Sequence, residues 1–281
     1  MEAGAGRGRF ISVRAHLLLD CPLAATAIAG GYVAGWPVVA CCAGVSLAVH
    51  TWGVLHPRSS LYLPVHWVVA EPGDGFALTL DDGPDPEQTP RVLDALAEAG
   101  AKATFFVIGS EVRRHPQVVR RIVAEGHALG LHSDSHSHWF NLWPAGRVSE
   151  DLMNCGAAIA EAAGVPPPRL FRPPVGLKNP IVGSVARRLG LVCVTWTAGG
   201  GDTARRSLEE VERRCLPGLR PGGIILLHDG RDPSSPRARP HTVPLVRRLL
   251  EHAARAALVA RALTIAGDRP TFQARGVAPE M

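Results

Sequence analysis

From Phe76 onward, short apolar runs alternate with segments of helical periodicity, and no other feature limits the fold of this chain as narrowly. "FALTL", "ATFFV", "HALGLH", "RLFR", "LVCVTW" and "GIILLH" read as strands. They are apolar almost throughout, which is the pattern of strands covered on both faces. Helical patterns lie between them. "TPRVLDALAEAG" has Thr89 placed as N-cap, Pro90 at the first helical position and Gly100 just past the end. Others run near Pro116 to Ala124, Ser149 to Ala163, Ile181 to Leu189, over "SLEEVERRCL", and from Val243 to about Ala257. Such alternation builds a parallel sheet with helices outside it. The expected fold is therefore α/β, a distorted (β/α) barrel of about seven strands. A composition of 46% hydrophobic and 20% charged residues excludes a disordered or fibrous chain.

The front of the chain follows another rule. From Cys21 to Pro57 there is no Asp, Glu, Lys or Arg, a longer uncharged run than one membrane span of about 20 residues requires. "GGY" and "GWP" interrupt it, because proline removes a helical hydrogen bond and glycine weakens a helix. Two spans are expected, about Leu17 to Ala34 and Pro37 to Leu55; a helical hairpin buried against the domain is the alternative. Arg7, Arg9 and Arg14 precede the first span and favour a cytoplasmic amino terminus, so two spans would return the domain to the cytoplasm. Cys155, Cys193 and Cys215, odd in number and without CxxC spacing, agree with a reducing compartment. The expected layout is a membrane segment over 1–58, a linker over 59–75, the main domain over 76–268 and a tail over 269–281. The net charge of +5 comes largely from arginine pairs on helical segments, without the interleaved aromatics of a nucleic-acid platform. The basic balance suits an anionic membrane surface instead.

Polar residues stand just after the strands: Asp81 and Asp82, His132, Arg172, Asp202 and His228. In a parallel barrel these carboxyl ends share one face, where such folds build active sites. "DDGP" on its own is a turn signal. Adjacent like charges repel, however, and persist best where a cation or a proton shuttle uses them. In "GLHSDSHSHW", His132 and His136 are four apart, a spacing that can place both on one face of a helical turn and chelate a metal. With Asp82 they form two imidazoles and a carboxylate, which leave open positions on zinc or a similar divalent ion. Asp81, beside that ligand, is placed to serve as a base.

"TLDDG", "HSDSH", "RPPV", "WTAGGGD" and "LLH", in this order, resemble the motifs of the polysaccharide deacetylase family, also described as NodB-type or carbohydrate esterase family four. The resemblance covers roughly Phe76 to Thr264. It implies a metal-dependent hydrolase that removes an N-acetyl group from an amino sugar in a polysaccharide or glycan, using one divalent ion, zinc or else cobalt or another. Residue by residue it implies Asp81 as general base, Asp82, His132 and His136 as metal ligands, and His228 as general acid. Arg172 would hold Asp81 and lower its pKa, Asp202 would orient Arg172, and Ser133 would support the metal-site loop. Two positions depart from the pattern. Val175 stands where an aromatic is usual, although the backbone N–H implied as an oxyanion donor survives. "AGGG" precedes Asp202, where a helix N-cap or loop carboxylate is the alternative. Trp139 and Trp143 would either line a sugar face or pack. A polyprenyl-phosphate-linked amino sugar as substrate of a deacylase or deformylase is the second enzymatic expectation. An inert glycan-binding or partner-binding membrane protein is the competitor from another class.

Overall fold

In the computed structural model, the described residues are 25–26, 35–231 and 239–274. The strands are β1 (Val65–His66), β2 (Gly75–Asp81), β3 (Thr104–Val107), β4 (Ala128–Leu131), β5 (Leu170–Phe171), β6 (Val192–Val194), β7 (Ala198–Gly199), β8 (Ile224–His228) and β9 (Val259–Ala260). They form one nine-stranded parallel sheet in the order β1-β6-β5-β4-β3-β2-β8-β7, with β9 also on β2. The chain leaving β6 re-enters the sheet as β7 against β8, and Thr197 donates its amide to the Ile224 carbonyl at 2.8 Å on the way. The sheet is thus curled into a half-barrel, and this crossing segment spans its open side. The antiparallel hairpin β10 (Leu263–Ala266) and β11 (Arg269–Phe272) follows.

Period-two alternation decides what the barrel encloses. Phe76, Leu78 and Leu80 of β2, Phe105 and Val107 of β3, and Ile225 and Leu227 of β8 point outward into the large core under the helices. The alternate set, Ala77, Phe106, Leu170, Val194 and Ile224, packs inside with Leu263 and Phe272 of the hairpin. Thr79 and Asp81 continue that inward row toward the carboxyl ends of the strands, and both are buried. Polar side chains are therefore stacked above an apolar floor, and their charges must be satisfied by one another.

The helices are α1 (Trp36–Leu55), α2 (Gln88–Glu98), α3 (Gly109–Arg114), α4 (Pro116–Ala124), α5 (Ala145–Ala163), α6 (Pro180–Arg188), α7 (Leu208–Cys215) and α8 (Thr242–Arg255). The expected cap of α2 is corrected. Helix α2 starts before Thr89, and Asp85 Oδ1 accepts the Glu87 and Gln88 amides, both at 2.8 Å. Thr89 is buried and donates its hydroxyl to Asp229, tying α2 to the end of β8. Helix α5 begins ahead of Ser149, directly after Pro144, whose φ of −65° leads into it. Helix α1 has 20 residues at a mean hydropathy of 1.8, long and apolar enough to cross a membrane, and it coincides with the second expected span. The first expected span falls outside the described residues, 25–26 excepted, as do Arg7, Arg9 and Arg14.

Candidate active site and metal centre

Asp81 closes β2 and lies in register with His228 at the end of β8, so two proton-carrying side chains face each other across one strand pair. Asp82 follows in the left-handed region at φ 70°. Ser133 (φ 68°), His136 (φ 47°) and Val175 (φ 58°) share that unfavourable conformation. These are four of the six non-glycine residues with positive φ among the described residues, and all four lie at this site. Backbone strain concentrated in this way is the mark of side chains held in place by their surroundings.

Asp82, His132 and His136 each offer a ligand atom, and those atoms lie within 4.8 Å of one another. His136 Nε2 is 3.4 Å and His132 Nε2 3.6 Å from Asp82 Oδ1. The donor set fits a divalent ion in its tautomers as well as its types. His132 Nδ1 donates to the Arg172 carbonyl at 2.8 Å, which leaves Nε2 bare toward the other two ligands. Burial, with His136 adding to it, lowers the His132 pKa to about 3, so the ring is neutral as ligation requires. The supporting loop is held on both sides. Ser133 Oγ accepts the His136 amide at 2.8 Å, as its expected supporting role requires. The Asp151 carboxylate accepts the amides of Asp134 and Ser135, at 2.8 and 3.2 Å, and the Ser135 hydroxyl.

Asp81 is held by Arg172, whose Nη1 donates to Oδ1 at 2.7 Å. The guanidinium is fully buried, stacks over Phe106 at 4.1 Å, and donates also to Thr79 Oγ1 and to the carbonyls of Val194 and Thr195. Arg172 draws the Asp81 pKa down as expected, but burial is the larger effect and leaves it above the ordinary aspartate value. The expected contact of Asp202 with Arg172 is not formed. Asp202 instead accepts from His228, through the ring Nδ1 and the backbone amide, both at 2.9 Å. The reason is topological: Asp202 follows β7, which pairs on β8, so the residue lands at the end of His228's own strand. Burial alone would lower the His228 pKa, but Asp202, and to a lesser extent Asp82 and Asp81, raise it to about 9. The ring is therefore an imidazolium at neutral pH, with Nδ1 occupied by Asp202.

Arg239, which the sequence does not single out, enters the site from the segment before α8. Its Nη2 donates to Asp82 Oδ2 at 3.1 Å and its Nε to the Gly230 carbonyl at 3.0 Å. The two oxygens of Asp82 are thereby divided, Oδ1 toward the histidines and Oδ2 on Arg239. Gly176 is required beside Val175: its φ is +72°, and a Cβ there would lie 2.5 Å from the Trp196 ring. These groups surround a cleft of about 420 Å³ that Asp81, Asp82, His136, Val175, Trp196 and His228 help to line. Trp143 is buried against Phe140, whereas Trp139 is 68% exposed beside His138 of the cleft wall.

The chain is similar to proteins of known family and fold. Residues 69–194 match the family model described as polysaccharide deacetylase. A chitooligosaccharide deacetylase of Bradyrhizobium is 38% identical over 161 residues, covering 57% of this chain and 73% of that protein. A peptidoglycan-N-acetylglucosamine deacetylase of Bacillus cereus is 37% identical over 168 residues, covering 59% and 78%. Among solved structures, a family 4 carbohydrate esterase from Streptomyces lividans, in complex with acetate, superposes with a TM-score of 0.62 at 28% identity, covering 70% of this chain and 96% of that one. The motif order, the curled parallel sheet and these relatives converge: the chain belongs to the polysaccharide deacetylase family, carbohydrate esterase family 4, whose enzymes hydrolyse the N-acetyl amide bonds of sugars.

Proposed function

We propose that the protein is a divalent-metal-dependent deacetylase that removes an acetyl group from an N-acetylated amino sugar of a glycan, leaving a free amine and acetate. The observation that carries this reading is the division of labour around one three-ligand cluster. A carboxylate locked by a buried arginine stands on one side, and an imidazolium locked by a buried carboxylate on the other. An inert binding protein has no use for that pairing, and Asp81, Asp82, His132, His136 and His228, to which the family resemblance gives the ligand and proton-carrying roles, are all present.

Asp82, His132 and His136 would hold the ion, zinc or cobalt suiting the donor set, and when bound it supplies a Lewis acid that acidifies water and polarises an amide carbonyl. Asp81, oriented by Arg172, takes a proton from water as its oxygen attacks the carbonyl carbon. The backbone N–H of Val175 donates to the oxyanion that develops. His228, its Nδ1 tied to Asp202, gives a proton from Nε2 to the amine nitrogen as the C–N bond breaks. Val175 in place of an aromatic leaves the donor and removes a ring from the cleft wall. Helix α1 would anchor the enzyme in a membrane.

The test is metal content beside acetate release from an N-acetylglucosamine oligomer. His132→Ala and Asp82→Ala should lose most of the bound ion and the activity with it. Full occupancy in both variants would overturn the ligand assignment.

The role of Asp202 has its own signature. With Asp202→Asn the anion that holds His228 protonated is gone, so burial takes over and the ring loses its proton at neutral pH. The basic limb of the kcat/KM profile should move to lower pH by at least about one unit, and the rate at pH 7 should fall on the order of tenfold or more. An unmoved limb would show that Asp202 does not set the charge of His228.

A further inference from the structure

Lys178 is fully buried, yet among the described residues no carboxylate pairs with it. Its ammonium donates to the carbonyls of His56 at 3.0 Å and Gly176 at 3.5 Å, and its backbone amide reaches the Val54 carbonyl at 3.4 Å. His56 is the C-cap of α1, so the cation occupies the end of that helix where unpaired carbonyls and the helix dipole favour positive charge. The same two turns of α1 are packed on the domain. Gly53 is buried under Leu61 and Tyr62, where a Cβ would lie 2.4 Å from Leu61 Cδ2, and the His50 ring pairs with the Tyr62 hydroxyl at 2.7 Å. Further from the domain α1 exposes its apolar side chains, Leu47 at 70%. A buried lysine is costly, and a flexible tether would have no need of it.

The clasp also reaches the cleft. Lys178 lies just past the Val175–Gly176 turn, and the neighbouring Asn179 side chain donates to the Asn141 carbonyl. The loop so held exposes Trp139 and Leu142, and the turn exposes Val175. Val175 lines the cleft, and the exposed Trp139 and Leu142 stand on the loop that follows His136 and His138 of its wall. The apolar exposure of α1 continues to Leu55, so the boundary of a bilayer around α1 would fall at the level of the His56–Lys178 contact.

We propose that Lys178 clasps the domain rigidly to α1, so that Trp139, Leu142 and Val175 seat the mouth of the cleft on the interfacial layer of a lipid bilayer. This rests on reading α1 as a membrane helix. The occupant of the apolar rim is the lipid surface, because Lys178 and Asn179 tie both of its loops to the end of α1, which among the described residues is the helix long and apolar enough to be embedded. The enzyme would meet amino sugars presented at the membrane and be a poor catalyst toward the same sugar free in solution.

The experiment uses the full chain in phosphatidylethanolamine–phosphatidylglycerol vesicles, with Cys21, Cys41 and Cys42 replaced by alanine and an environment-sensitive fluorophore placed at Leu142→Cys or, separately, at Leu47→Cys. The Leu47 probe should be quenched by spin labels deep in the bilayer. The Leu142 probe should be blue-shifted and quenched by spin labels near the headgroups. A Leu47 probe in the bilayer with a Leu142 probe open to aqueous iodide overturns the seating while leaving the anchor intact. A Leu47 probe in water removes the anchor and the inference together. Lys178→Met should keep the Leu47 signal and lose the headgroup quenching at Leu142; retention of both would show that Lys178 is not the clasp.

Discussion

Asp81→Asn should keep the divalent ion and lose turnover by a factor of about 10²–10⁴, the usual worth of a positioned general base. The substitution is nearly isosteric, and an asparagine oxygen can still accept from Arg172 at the place where Oδ1 now sits. What disappears is the proton acceptor at Oδ2, which lies 3.7 Å from His132 Nε2 and so faces the candidate metal centre. Because Asp81 is not one of the clustered ligands, metal content and activity should separate. That separation distinguishes a base from a ligand. The guanidinium keeps three other acceptors, so the variant should fold, and a thermal melt recorded beside the assay checks that it has. Turnover equal to that of the unaltered enzyme on an N-acetylated oligosaccharide would send the search for the base elsewhere.

The site was legible in the sequence to the extent that its chemistry sits at strand ends. Asp81, His132, Arg172 and His228 each close or follow an apolar run long enough to read, and alternation then aims Asp81, Arg172 and His228 inward. Helix α4 was equally plain, since Pro116 opens it and its apolar positions recur at helical spacing. Strands β1, β7 and β9 are too short to show any period, and β7 decides where Asp202 goes. Without it, a carboxylate after three glycines could be placed on Arg172 as readily as on His228. Arg239 gives no local signal, lying between prolines in a segment without periodicity; it acquires meaning only when the curl of the sheet brings it to Asp82. Asp151 reads as an ordinary charge on a helix. Its burial on the packed face of α5 turns it into the brace of the histidine loop. The pKa of Asp81 illustrates the same limit, because a sequence reveals the partner that lowers it and not the depth of burial that raises it.

Arg172→Met should be the most damaging single change to folding, destabilising the protein by about 3–5 kcal/mol, the range for breaking a buried ion pair from one side. Methionine fills much of the space between Phe106 and Trp196, so the loss is chiefly electrostatic. The Asp81 carboxylate would be stranded where burial already raises its pKa, and without the guanidinium that opposes this it would be raised further, which also weakens the supply of the ionised base. The carbonyls of Val194 and Thr195 would lose their donor as well. Arg172→Lys should rescue little. A single ammonium cannot span Asp81, Thr79 and two carbonyls that a planar fork reaches together. Arg172→Met with Asp81→Asn should recover part of the stability, since neither charge is then left alone, and recover none of the activity. Urea midpoints and acetate release measured on the four proteins separate these effects. Full stability and activity in Arg172→Lys would show that the site needs only a positive charge there, and the inward fork would lose its part in the mechanism.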